Sequence, residues 1–109
     1  MTATPYPIIE PQTVSSTASS LYSAAVITQI VNLTFTNPSA SAVTLTLYMV
    51  PSSGTAGSSN QISTKTLNTG ETWQASEWIG KIMKAGDSIQ GAASTAGVVV
   101  ASGSGVQYT

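Results

Sequence analysis

Two stretches of two-residue alternation constrain this chain more than any other feature. From Ile27 to Thr36, Val31, Leu33 and Phe35 fall on one side, and Asn32, Thr34 and Thr36 on the other. From Val43 to Val50, Val43, Leu45, Leu47 and Met49 share a side opposite Thr44, Thr46 and Tyr48. That period marks a β-strand with one buried face. The loop Asn37 to Ser41 separates the two strands, which read as an antiparallel pair, and Pro51 ends the second.

The pattern continues toward the C-terminus. Gln61 to Leu67 reads as a third, mostly polar strand, and Thr72 to Ala75 as a short one carrying Trp73. Ser76 stands where it can cap a short helix, Glu77 to Lys84, with Glu77 near its positive end and Lys81 and Lys84 near its negative end. Trp78, Ile79, Ile82 and Met83 would gather on one face of that helix. Asp87 to Ser94 is another strand. Val98 to Ser102 follows, and Val106 to Thr109 resumes after a break or bulge at Gly103-Ser104-Gly105. The corners Gly70-Glu71 and Gly86-Asp87 read as similar turn-to-strand solutions. A chain of 109 residues has room for one domain. The expectation is all-β: a single antiparallel β-sandwich or jelly-roll-like domain over residues 21–109 with one short helix.

Residues 1–20 read differently. Pro5, Pro7 and Pro11 forbid a helix and hold their predecessors extended. A solvated terminus fits, as does an extended arm that orders against a neighbouring subunit. Ile8 and Ile9 would be wasted on a solvated tail, so Tyr6, Ile8 and Ile9 are the candidate arm contacts.

Charge decides what chemistry is available. Charged residues make up 6% of the chain, and there is no His and no Cys. Without imidazole or thiol, neither a Ser/His/Asp nor a Cys/His constellation can be written, and no disulfide or zinc site forms. Three cations and no Arg cannot neutralise a run of phosphates, which argues against nucleic acid as a partner. No apolar run is long enough to span a membrane. Residues 1–20 lack the basic start and continuous apolar run of a secretory signal. The 17 Ser and 16 Thr take over the solvating role of charge and leave faces that pack with little ion desolvation.

Few constellations remain. Glu71, Glu77 and Asp87 could in principle gather around calcium, but turn and cap positions already account for all three. Neither a metal site nor a cofactor is expected, and no catalytic residue is assigned. Trp73 and Trp78 are either core or a stacking platform for a sugar, with core favoured by the scarcity of other large rings. Asn32-Leu33-Thr34 matches a glycosylation sequon but sits in mid-strand.

Several runs, taken in order, resemble small structural proteins of tailed-bacteriophage virions. They are Leu21 to Ala24, Ile30 to Asn37, Val43 to Pro51 with the Ser/Gly-rich loop after it, Lys65 to Thr72, Glu77 to Gly80 and Lys84 to Ile89. That resemblance implies a small β-sandwich acting as a capsid decoration or cement subunit on the capsid exterior, made in the host cytoplasm. Its partners would be the major capsid protein or other virion proteins, with self-association as a dimer or trimer. A tail, neck or head-fibre component, or a carbohydrate-binding surface module, are the alternatives. No enzyme activity is implied.

Overall fold

The computed structural model describes residues 2–109. Among them, nine strands form two antiparallel sheets: β1 Ala3–Thr13, β2 Ser19–Ser23, β3 Ile27–Thr36, β4 Val43–Val50, β5 Gln61–Leu67, β6 Thr72–Gln74, β7 Ile82–Met83, β8 Ser88–Ala93 and β9 Val100–Tyr108. The first sheet runs β1-β9-β3-β6, with β7 also paired to β3; the second runs β2-β8-β4-β5. The all-β, two-sheet sandwich with little helix is therefore as expected from the alternation.

The pairing is not. β3 and β4 lie in different sheets, so the loop between them crosses the sandwich instead of closing a hairpin. The inward residues explain why. Ile30, Leu33 and Phe35 of β3 face Val43, Leu45 and Leu47 of β4 across one core, and all six are buried. Alternation shows that a strand has a buried face; it does not say which neighbour supplies the hydrogen bonds.

The segment read as an arm is extended and belongs to the first sheet. β1 pairs with β9 from Ala3 opposite Tyr108 to Thr13 opposite Val100. Its register slips twice, between Tyr6 and Ile9 and between Ile9 and Gln12. The first slip lets two successive residues, Ile8 and Ile9, both enter the core. The proline amides cost little because β1 is a sheet edge.

The helix expected at Glu77 to Lys84 is corrected to a single 3-10 turn, Ser76–Trp78, followed by the extended β7. Ser76 does not cap it; Ala75 holds the cap position, with no side-chain hydrogen bond. The edge of β3 wins instead. Gly80 N–H donates to the Ile30 carbonyl at 2.8 Å, and Ile30 N–H to the Lys81 carbonyl at 2.9 Å. Gly80 adopts φ +89°, a left-handed turn that ends helical winding. Extended backbone then splits the four apolar residues: Trp78 and Met83 point inward, Ile79 and Ile82 outward. Of the break or bulge expected at Gly103 to Gly105, the bulge is found: β9 runs through, and its pairing slips there against both β1 and β3.

Candidate assembly surface

The residues singled out from the sequence fall mostly inside the molecule. Ile8 and Ile9 are buried against this chain's own β9, where Gly103 pairs with Ile9 and Gly105, paired with Tyr6, lies against Ile8. A Cβ on Gly103 would lie 2.6 Å from Leu33 Cδ2 and 2.8 Å from the Asn32 carbonyl oxygen, so β9 is bare where the isoleucines and β3 crowd it. In this chain both side chains belong to its own core. Tyr6 stays half-exposed, its ring 6.5 Å from that of Tyr22.

The two tryptophans do not form a platform. Trp78 is fully buried, while Trp73 is half-buried with its ring 5.9 Å from Phe35. Trp78 Nε1 donates to Ser63 Oγ at 3.0 Å, and Ser63 Oγ donates to Glu77 Oε2 at 2.7 Å. Glu77 thus anchors a chain of hydrogen bonds that satisfies a buried indole. The other acids hold turns. Glu71 accepts the Asn68 amide at 2.9 Å and faces Lys65 at 3.6 Å. The Asn68 amide above all holds the Glu71 carboxyl below its ordinary range; desolvation opposes it, and the Lys65 ammonium adds a lesser pull in the same direction as the amide. Asp87 accepts the amides of Lys84 and Ser52. Among the described residues no three His, Cys, Asp or Glu side chains gather to hold a metal ion. No buried polar side-chain atom there lacks a hydrogen-bond partner. Glu71, Glu77 and Asp87 are each engaged in structural hydrogen bonds, and the Ser63 hydroxyl beside Glu77 is committed to the buried Trp78 indole.

What remains for function is the surface, and its two broad faces differ. The second sheet turns Thr44, Thr46, Tyr48, Thr64, Thr66 and Gln90 outward, a hydroxyl- and amide-rich face. The first sheet is mixed. Toward one end it shows Thr34, Thr36, Thr72 and Ser102. Toward the other it shows an apolar band that sequence alternation does not reveal. Val31 was expected to point inward with Leu33 and Phe35. A bulge between Ile30 and Asn32 turns it out instead, leaving it 48% exposed. The signal was present in the apolar pair Ile30-Val31, since adjacent strand residues cannot both face one core without such a slip. Beside Val31, a hollow of about 450 Å³ opens over β9, walled by Pro5, Pro7, Val31 and Val106 and floored by Ser104 and Gly105.

No protein-family model matches this chain, and no curated protein matches it in sequence. Among solved structures it is similar in fold to a protein of Bacillus endospore appendages, described as forming a novel family of disulfide-linked pili. The likeness spans 99% of this chain and 88% of that one, with a TM-score of 0.55 and 17% sequence identity. This corrects the phage reading drawn from the sequence. The fold matched along nearly the whole chain is that of a bacterial appendage pilus protein, not of a capsid decoration protein, so the capsid partners and the virion location do not hold.

Proposed function

We propose that this chain is a structural subunit of an extracellular bacterial appendage of pilus type, whose partners are other appendage subunits. The end-to-end fold likeness to the endospore-appendage protein carries the reading. Three further features support it. The sheet orders β1-β9-β3-β6 and β2-β8-β4-β5 follow the wrapping of a jelly roll, a compact, inert building block. The low charge lets surfaces of many copies meet without stripping water from ions. The polar side chains serve the fold rather than a reaction.

One difference from that pilus protein bears on mechanism. Within these 109 residues there is no cysteine, so contacts among them are non-covalent. The subunits would hold together by many modest interfaces whose effects multiply along a filament. Electron microscopy of the concentrated, folded protein tests this. The expected result is filaments of uniform width that are indifferent to reductant and come apart in denaturant. Folded protein that forms no filament under any assembly condition, including seeding with appendage fragments, overturns the reading.

A further inference from the structure

The outer face of the first sheet carries a ridge and a hollow side by side. Ile27, Val31 and Ile82 form the ridge along β3 and β7, and they are 43%, 48% and 53% exposed. The hollow lies over β9, on the β1 side. Register fixes their relation. Pro5 stands opposite Val106, Val106 opposite Gln29, and Gln29 opposite Ile82, so ridge and hollow share one row across the sheet. Strands are spaced ~4.8 Å apart, which places Ile82 about 10 Å to the side of the hollow's floor. None of the seven charged side chains lines the hollow.

We propose that this face pairs with the same face of a second copy through a two-fold axis running along the strands. A half turn about that axis exchanges left and right across the sheet. It brings the Val31–Ile82 ridge of each copy over the Ser104 hollow of the other, so the contact closes on itself. A second copy fits better than a foreign partner because the projection and the recess that receives it belong to one surface, and the recess offers no charge by which another class of partner would be selected. The size is adequate. Four strand lanes at ~4.8 Å and nine residues at ~3.3 Å give roughly 600 Å² per copy, or about 1,200 Å² in total, the lower end of stable interfaces. The pairing rests on the face alone and does not depend on the appendage reading.

The absence of native cysteine makes the test clean. Ile82→Cys and Val106→Cys alter surface positions that share one row. In the two-fold arrangement residue 82 meets residue 106 and neither meets itself. Mixing the two single variants and oxidising should give a cross-linked dimer at least about tenfold above either variant alone. In parallel, the unmodified chain should sediment as a dimer at about 1 mM, where even weak pairs form. Val31→Asp should sediment as a monomer with an unchanged melting curve. A monomeric unmodified chain, or a mixture that cross-links no more than its parts, overturns the proposal. Filaments without the mixed cross-link refute the face pairing only. The mixed cross-link without filaments refutes the appendage reading only.

Discussion

The corners at Gly70-Glu71 and Gly86-Asp87 are built alike and do different jobs. Each glycine takes a positive φ, +74° and +94°. Each glycine amide donates at 2.7 Å to the carbonyl of a residue just past a strand of the same sheet, Asn37 in one and Ala24 in the other. That residue's amide returns a bond of 2.9 Å to the acid's carbonyl. Each carboxylate then accepts the amide three residues back, from Asn68 or Lys84. The first corner leads into β6 of the first sheet, the second into β8 of the second. Beyond this shared frame they diverge. Asp87 is buried and its other oxygen accepts the amide of Ser52, so the acid clasps the loop after β4. Glu71 is partly open and faces only Lys65. At its corner the long-range work passes to Asn37, whose buried amide group donates to the carbonyls of Ser41 and Leu67. A local turn solution becomes a tertiary clasp only where a second segment comes within reach, and either the acid or its strand-end neighbour can make the reach.

That division of labour can be broken in order of effect. Asn37→Ala should be the most damaging, costing about 3 kcal/mol, because it strands buried carbonyls as well as removing bonds. Urea melts would read this as a lower midpoint at unchanged slope. A loss under half that size would mean water replaces the side chain. Asp87→Ala should follow at about 2 kcal/mol, since two backbone amides lose their acceptor. If Asp87→Ala proves milder than a turn-only substitution, the clasp is not real.

The glycines give the next contrast. Gly86→Ala forces a left-handed conformation and also places a Cβ 2.6 Å from Ser52 Oγ, so it should cost about 2 kcal/mol. Gly70→Ala meets nothing within 4 Å and pays the backbone penalty alone, about 1 kcal/mol. Equal losses at the two sites would remove the packing difference between the corners.

Glu71→Gln should have the smallest effect, and its sign depends on pH. The folded carboxyl titrates below its ordinary value, so it stabilises the fold above about pH 4.3 and loses that effect as pH falls through the lower folded value. Thermal melts of the variant and the parent should therefore differ near neutrality and converge in acid. A gap that stays constant down to strongly acidic pH would show that the charge plays no part.

How much of this was legible in the sequence depends on where each determinant sits. The spans of β3, β4 and β5 follow from local alternation and bounding turns, and the likeness of the two corners follows from their Gly-acid pairs. Three features depended on partners far along the chain. The helix expected after Ser76 gave way to pairing with the unfilled edge of β3 around Ile30. Ile8 and Ile9 could not be assigned to the core without knowing that Gly105 and Gly103 lie beneath them. The exposed ridge was hidden because one extra residue in β3 reverses Val31, and period counting assumes that no such slip occurs. The candidate surface was thus the least readable part, since it is made where a local rule breaks.

The pairing of β1 with β9 has a consequence for how the molecule comes into being. The N-terminal strand of the sandwich is hydrogen-bonded to its C-terminal strand, up to the amide of Thr109 donating to the Thr2 carbonyl at 2.9 Å. β3 also needs β9 as its neighbour, so the centre of the first sheet is missing until β9 arrives. Folding of the sandwich is then dominated by distant contacts, which is slow relative to helical domains of the same size. A growing chain, or one being threaded through a narrow passage, stays without its first sheet until Val100 to Tyr108 are available. Formation of the first sheet, and of the face it presents, is thereby postponed by topology alone.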